Sequence, residues 1–383
     1  MLKNKSITLG IVAVLLSAAS VFCASCGTDG NAAITDNPFG VETVTPPDTS
    51  NAPDTEPVVD EPVDAEPEID VIINPLTGVE ATVDYELRRP VAIMINNIRI
   101  ATPQEGISYA DVMYECIVEG AQTRLLMLVS DYESLPTVGS VRSSREYYLD
   151  FAANHNAIYV HAGGSTQAYA EIGSRGVDNI DGVNDGSVSG KCYWRDTWRM
   201  NNMGYEHSLM TSGEKIAEGI DIKKYSTELV DGFDSPLDFV EYGTVKTPDG
   251  GDATYLRVTY SGAHRPYFEY NESDSLYYRW QFLGDKHIDN GNGEQLAFTN
   301  VIVLYCPTVN TGDSYGHMDV TTTGSGEGYY LTMGKYEKIT WKKTDEDSPV
   351  KLYNESGDEL LINRGKTFFQ ICTTGMKDTT ELR

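Results

Sequence analysis

The stretch GSVRSSREYYLDFAANHNAIYVHAGGS, residues 139–165, decides the fold that we predict for the first half of the chain. Ser143 stands three residues before Glu146, a capping-box spacing that predicts a helix over residues 146–154. The apolar segment AIYVHA, at 157–162, is typical of a buried strand. A helix followed directly by a strand is the first sign of an α/β arrangement.

The end of the same stretch predicts a turn and a second helix. Gly163 and Gly164 allow the backbone to turn tightly or to approach another group closely. Ser165 follows them, and its hydroxyl can cap a helix over residues 166–176. The alternation of strand, loop and helix therefore continues past residue 165.

The segments on either side continue the pattern. RPVAIMINN, at 89–97, is a continuous apolar run that ends in two asparagines, which predicts a buried strand with a turn at its exit. Further strands are predicted at 111–120 and 124–132. Thr211 and Glu214 form another capping box, which predicts a helix after them.

Beyond about residue 240 the pattern changes to short segments that are rich in aromatic and β-branched residues and separated by Gly, Asn and Asp. Such segments predict a mostly antiparallel sheet. GSGEG, at 324–328, imitates a phosphate loop, but strand residues follow it, so we interpret it as a hairpin turn.

The part of the chain from residue 71 onward exceeds the size at which one core usually keeps growing, so two domains are expected. We predict an α+β protein. An N-terminal α/β-type domain with a mixed sheet spans 71–240, and a mostly antiparallel β domain spans 241–383.

The N-terminus predicts export and anchoring. Lys3 and Lys5 precede a short apolar run, which is typical of a signal peptide over 1–25. VFCASCGTDG resembles the lipobox of bacterial lipoproteins, in which Cys26 would become the lipidated N-terminus, with Cys23 a weaker competing acceptor. We therefore expect the lipid bilayer as a partner through acylated Cys26, on the extracytoplasmic face of the cell membrane.

Residues 26–70 have the composition of a disordered tether. From residue 28 to 70 there are twelve Asp or Glu, seven Pro and no Lys or Arg, a composition that cannot bury a core. The net charge of the whole chain is -28, which argues against nucleic acid or anionic lipid as a broad-surface partner.

The cysteines beyond the tether are spaced too widely for a zinc knuckle or a redox pair. They are Cys116, Cys192, Cys306 and Cys372. A disulfide between Cys306 and Cys372 is chemically permitted outside the cell, and buried free thiols are the alternative.

Segments in both halves resemble one known family. They are NPLTG (74–78), RPVAIMINN (89–97), residues 110–128, VGSVRSSR (138–145), residues 157–169, YWRD (193–196), residues 277–289, NVIV (300–303) and ITWKK (339–343). In this order they are similar to the YerB-like lipoproteins of mainly Gram-positive bacteria, whose N- and C-terminal domains are of unknown function. The resemblance implies two α+β domains and no particular chemistry. Where relatives typically show a Pro-His-Asn run, this chain has YEHSLMTS, which keeps His207.

Two arginines are the first candidate ligand-binding residues. Arg142 and Arg145 lie at the mouth of the helix predicted at residue 146, where backbone N–H groups and the helix dipole favour an anion. The alternative is that Glu115, Glu119 or Asp150 pairs with them.

The other candidates could converge on one crevice, because residues at the carboxyl ends of strands line the usual cleft of an α/β sheet. They are His161, Gly163, Gly164, Ser165, Arg195, Asp196 and His207. Ser165 is interpreted as a helix cap rather than a nucleophile, since Thr166 and Gln167 follow it instead of a glycine. The spacing of the two histidines matches no compact metal motif, so we predict no metal and no cofactor.

These observations favour a lipoprotein that binds an anionic or sugar-containing envelope component, such as a cell-wall polymer, or an envelope protein. The alternative is a hydrolase or transferase acting on the cell envelope. In that case His161 or His207 would serve as general base, and the arginines would stabilise negative charge.

Overall fold

The computed structural model describes residues 71–383. Its α-helices in this range are α1 (Glu146–Ala153), α2 (Thr166–Arg175), α3 (Thr197–Asn202) and α4 (Gly213–Lys223). The signal peptide, the lipidation site Cys26 and the tether lie outside the described residues, so those sequence predictions stay predictions.

Strands make up most of the remaining regular structure. In the first half they are β1 (Val91–Asn96), β2 (Val112–Ile117), β3 (Thr123–Val129), β4 (Thr137–Gly139), β5 (Ile158–His161), β6 (Asn179–Asp181), β7 (Trp194–Arg195), β8 (Leu209–Ser212) and β9 (Asp238–Phe239). In the second half they are β10 (Tyr255–Arg257), β11 (Tyr267–Asn271), β12 (Leu276–Gln281), β13 (Asp285–Lys286), β14 (Ala297–Phe298), β15 (Asn300–Cys306), β16 (Thr308–Asn310), β17 (Met318–Val320), β18 (Gly324–Thr332), β19 (Lys335–Lys343), β20 (Lys351–Tyr353), β21 (Leu361–Ile362), β22 (Thr367–Thr373) and β23 (Glu381–Leu382).

The largest sheet has ten strands in the order β20-β19-β18-β15-β22-β2-β3-β1-β5-β6. Strand β1 pairs antiparallel with β3 and parallel with β5, so the first half carries the mixed sheet that the sequence predicted. Strand β22 pairs in parallel with both β2 and β15. The sheet thus takes strands from both sides of residue 240, and the division into domains at that residue stays a prediction.

Antiparallel pairing dominates the second half, as predicted. A smaller sheet has the order β13-β12-β11-β10-β23, with β14 paired to β12. Strands β18 and β19 form a long hairpin. The α+β class predicted from the sequence is confirmed.

The central strands form because most of their residues on both faces are apolar. All residues of β1, β2 and β3 are buried, as expected for strands that are covered on both sides. Helix α1 covers part of the sheet with Tyr147, Tyr148 and Phe151, which are buried. The hydroxyl of Tyr148 donates to the carbonyl of Arg124 on β3 at 2.7 Å, so its polar end is satisfied inside the core.

The predicted capping box at Ser143 is wrong. Helix α1 begins one residue after Arg145, and no side chain caps it. The segment before it is held extended by tertiary pairing, since Arg142 N donates to Met94 O at 2.9 Å and Ser144 N donates to Gly163 O at 2.8 Å. Likewise Ser212, not Thr211, caps α4, through a hydrogen bond from Lys215 N.

The predicted hairpin turn at 324–328 is also wrong, because these residues begin strand β18. The hairpin turns at Met333 and Gly334 instead. Glycines occupy the strand because neighbouring groups approach its backbone closely. A Cβ on Gly326 would overlap the ring of Trp341, and one on Gly328 would overlap the carbonyl oxygen of Val303.

The cysteines of the described part are free thiols, and all are buried; they are Cys116, Cys192, Cys306 and Cys372. Burial raises the pKa of Cys306 to about 12 and that of Cys192 to about 11. Of the two readings left open by the sequence, the structure has buried free thiols rather than a disulfide between Cys306 and Cys372.

Candidate functional site

A crevice of about 320 Å³ lies where the segment before α1, the turn after β5 and strand β7 meet. We call it the arginine crevice and define it by Arg142, Gly163, Gly164, Asn184, Arg195, Tyr205 and Glu206, which all line it. Four of the candidate residues named from the sequence are thus brought together: Arg142, Gly163, Gly164 and Arg195.

The turn after β5 shapes the floor of the arginine crevice. Gly163 has a φ of +78°, a left-handed conformation that side-chain-bearing residues rarely adopt. Its N–H donates to Asp181 Oδ1 at 2.8 Å, which fixes the turn against strand β6. The turn is therefore built into the sheet and does not depend on a ligand.

Arg195 is the cation of the crevice that lacks an acidic partner. Its Nη1 donates to the carbonyl of Tyr205 at 2.6 Å, and its guanidinium lies 3.9 Å from the centre of the Tyr205 ring. Within residues 71–383 no carboxylate forms an ion pair with it. The stacked ring orients the guanidinium while leaving donors for an anion.

Arg142 is paired, but to an exposed partner. Its Nη2 lies 2.9 Å from Glu206 Oε2, and the Glu206 side chain is 62% exposed. Burial acts to raise the pKa of Glu206, but Arg142 outweighs it and the net shift is downward. Because the Glu206 side of this pair is open to solvent, the pair contributes only about 1 kcal/mol, so an incoming anion can compete with Glu206 for Arg142.

Arg145 is not brought to the arginine crevice. Its guanidinium is buried and bonds Glu119, with Nε at 3.0 Å and Nη2 at 2.5 Å. Arg124 binds the same carboxylate at 2.9 Å. Pairing with Glu119 is one of the alternatives that the sequence left open, and Arg145 holds the fold together at this point.

His161 lies beneath the turn rather than in the crevice. The residue is completely buried, its Nδ1 is 2.8 Å from Gly163 O, and its Nε2 is 3.1 Å from Asn179 Oδ1. Both ring nitrogens therefore contact protein oxygens. Ser165 accepts a hydrogen bond from Ala168 N at 3.0 Å, so the predicted cap of α2 is confirmed.

The last two candidates also have structural partners. Asp196 caps α3 by accepting a hydrogen bond from Arg199 N at 2.7 Å. His207 is buried, with Nδ1 at 2.9 Å from Asn96 Nδ2 and Nε2 at 3.3 Å from Glu206 Oε1. Burial lowers the pKa of His207, and Arg142 acts in the same direction. His207 thus supports the crevice from behind Glu206.

Sequence reasoning missed three residues that line the crevice, Asn184, Tyr205 and Glu206. Tyr205 and Glu206 stand directly before the candidate His207 in the sequence, and this position could have indicated that they lie near the site. Nothing local marks Asn184, because it lies in a loop that only the tertiary structure brings to the site.

Within residues 71–383 no group of three or more His, Cys, Asp or Glu side chains is arranged to hold a metal ion. In the same range, no helix has both the length and the apolar character needed to cross a bilayer.

Comparisons with known proteins agree with the resemblance seen in the sequence. Residues 76–226 match a family model described as "Protein of unknown function (DUF3048) N-terminal domain", and residues 256–369 match the model of the corresponding C-terminal domain. The protein named "Putative lipoprotein YerB" of Bacillus subtilis (strain 168) is 29% identical over 78% of this chain and 85% of its own length.

The crystal structure of the YerB protein from Bacillus subtilis superposes with a TM-score of 0.69 at 26% identity, over 82% of this chain and 99% of the other. Sequence and fold therefore agree over both halves of the described part. The chain belongs to the YerB-like family that the two DUF3048 domain models describe.

Proposed function

We propose that this chain is a lipoprotein, anchored through Cys26 on the extracytoplasmic face of the cell membrane, which binds an anionic, sugar-containing envelope polymer in the arginine crevice. Support for the location comes from the signal-like N-terminus and from the similarity to a protein named as a lipoprotein. Support for the ligand class comes from the chemistry of the crevice.

The observation that carries the proposal is that Arg195 and Arg142 line one solvent-reachable crevice, and that Arg195 has no acidic partner within residues 71–383. Guanidinium groups form paired hydrogen bonds with phosphate and carboxylate oxygens, which are the strongest contacts open to such anions. The chain has a net charge of -28, so its surface as a whole does not attract anions. Arginines that stay accessible in a crevice therefore favour the binding of a particular anion at that point.

The remaining lining fits the sugar part of such a polymer. Tyr205 is 65% exposed, so part of its surface stays open although Arg195 stacks on the ring. An aromatic ring offers an apolar face with a polar edge, and the exposed amide of Asn184 can donate to and accept from hydroxyl groups.

Binding fits this geometry better than the alternative of a hydrolase or transferase. A general base must reach the proton that it removes. His161 has no exposed surface and both its ring nitrogens contact protein oxygens, while His207 is buried behind Glu206.

The test is co-sedimentation of the purified full chain with isolated cell-wall polymers, comparing the wild type with an Arg142→Ala, Arg195→Ala double variant. We expect the double variant to bind at least about tenfold more weakly, because two charge-assisted contacts are lost. Arg265→Ala is the matched control, since Arg265 is exposed and lies outside the crevice.

A Glu206→Gln variant sharpens the test. It removes the carboxylate that competes for Arg142, so it should strengthen binding. If the double variant binds as well as the wild type, the proposal is wrong. Arg145→Ala is unsuitable here, because it would break the buried pair with Glu119 and weaken the fold.

A further inference from the structure

A second cavity, of about 630 Å³, lies apart from the arginine crevice. It is bounded by the segment 74–81, by residues 107–111 and, from the second half, by segments 294–299 and 365–366. Its volume falls in the range of roughly 300–1,000 Å³ that is typical of small-molecule sites. None of its lining residues belongs to the arginine crevice.

The walls of this cavity are fixed before any ligand arrives. Asn74 Oδ1 accepts a hydrogen bond from Leu76 N at 2.9 Å, which closes the turn of the NPLTG segment. Gly365 N donates to the carbonyl of Thr77 at 2.7 Å, so that segment is tied to the second half of the chain. A site built from pre-formed walls loses little free energy in ordering itself around a ligand.

Most of the lining is apolar. Ile107, Leu296 and Phe298 form its buried base, while Val79, Leu276 and Ala297 line it with part of their surface still exposed. An apolar ligand body in contact with these side chains would gain about 25 cal/mol for each Å² removed from water.

Two opposite charges stand in the same cavity without an ion-pair partner in residues 71–383. Asp111 Oδ2 accepts a hydrogen bond from Ser130 N at 2.8 Å, and the side chains of Asn74 and Ser130 also stabilise its charge. The Lys366 ammonium donates to Ser108 O at 2.5 Å, and within the described residues it makes no other hydrogen bond. Both residues are half-buried and line the cavity, yet they do not bond each other.

Partial burial of these charges is costly, and the titration of both groups reflects it. Burial raises the pKa of Asp111 and lowers the pKa of Lys366, although each group acts to stabilise the charge of the other. Because this mutual stabilisation does not offset burial, a ligand that brings one charge of each sign would further stabilise both groups, whereas a ligand with a single charge would further stabilise only one. Glu80 and Glu294 also line the cavity, which disfavours a simple anion.

We propose that this cavity binds a small zwitterion of the amino-acid or short-peptide class that has an apolar body. Its carboxylate meets Lys366, its ammonium group meets Asp111, and its apolar side chains pack on Val79, Leu276 and Ala297. This site is independent of the arginine crevice and of the function proposed for it.

The test is isothermal titration calorimetry of the full chain with the dipeptide Leu-Leu, its N-acetyl form and its C-terminal amide. We expect the free dipeptide to bind, and each blocked form to bind at least about tenfold more weakly, because one charged contact is lost. Lys366→Met should abolish the preference for a free carboxylate, and Asp111→Asn the preference for a free ammonium group.

Two further variants distinguish a specific loss of binding from a loss of folding. Ala297→Trp should fill the cavity and prevent binding while leaving both charges in place, because Ala297 lines the cavity and is only partly buried. Lys191→Met is the control for removing an exposed lysine elsewhere. Absence of binding by Leu-Leu, equal binding of all three forms, or undiminished binding by Ala297→Trp would each overturn the proposal.

Discussion

Arg279 on β12 donates a hydrogen bond from Nη2 to Oε2 of Glu115 on β2 over 2.6 Å, and neither side chain has any exposed surface. His264 Nε2 lies 2.8 Å from the other carboxylate oxygen, and Gln370 donates to Oε2 at 2.9 Å. Glu115 and Arg279 are 164 residues apart in sequence, so this pair joins the two halves of the described part.

Breaking this pair should destabilise the protein strongly. Glu115→Gln leaves the Arg279 guanidinium buried without a counter-charge, so we expect the free energy of unfolding to fall by about 3–5 kcal/mol. Denaturant unfolding followed by circular dichroism measures the loss. Asp252→Asn is the matched control, because its pair with Lys335 is exposed and should contribute about 0–1 kcal/mol. Equal losses in the two variants would contradict this prediction.

The buried imidazole of His155 should make the protein sensitive to acid. Burial lowers the pKa of His155 to about 3, and the charge of Lys343 adds to that effect. A group whose pKa is lower in the folded state contributes stability above its unfolded pKa, and that stability is lost as the pH falls toward the folded pKa. We therefore expect the free energy of unfolding to decline from about pH 6.5 toward pH 3, by an amount on the order of 4 kcal/mol from this group.

His155→Gln should flatten that decline, as measured by urea unfolding across the pH range. Tyr114→Phe is the control, because it removes the hydroxyl that lies 2.8 Å from His155 Nε2 but leaves the imidazole buried. The control should keep the acid-dependent decline. If the free energy of unfolding of His155→Gln declined with falling pH as steeply as that of the wild type, groups other than His155 would be the cause of the decline.

Gly328 should not tolerate a side chain. It pairs with Leu304 on one side and Ile339 on the other, and a Cβ would overlap the carbonyl oxygen of Val303. Gly328→Ala should lower the free energy of unfolding by about 1–3 kcal/mol, because the strands must move apart. In contrast, Gly173→Ala lies in helix α2 with open space around the new methyl group and should raise it by about 0.5–1 kcal/mol. Thermal unfolding of both variants should show shifts of opposite sign.

Anchoring should depend on Cys26. Cys26→Ser removes the thiol that would carry the lipid, so the chain should lose fatty-acid labelling and leave the membrane fraction. Metabolic labelling and cell fractionation measure both effects. Cys23→Ser is the matched control and should stay anchored. If only the Cys23→Ser variant left the membrane fraction, Cys23 would instead be the lipidated residue.

The elements that the sequence predicted well are those whose signal is local. Strand β1 and the cap of α2 by Ser165 are examples, since an apolar run and a serine at a helix start act through their immediate neighbours. The start of α1 at Glu146 was predicted correctly, but its capping by Ser143 was not, because Met94 and Gly163 hold the preceding segment extended. Such a contact between distant segments leaves no local trace.

The same distinction applies to the candidate sites. Residue type and position sufficed to nominate Arg142 and Arg195, and they do line one crevice. Arg145 was an equally good candidate by sequence, but Glu119 pairs with it inside the fold. Whether a given arginine is available depends on which carboxylate the fold brings within reach.

The sequence by itself determined the α+β class, the family and the candidate residues, because hydrophobic periodicity and motif order are properties of the linear chain. Only the tertiary structure decided that β2 and β15 both pair with β22, that Glu115 neutralises Arg279, and that Asp111 and Lys366 share a cavity. The physical reason is that pairing and burial of charges depend on distances of a few ångströms between residues that are far apart along the chain.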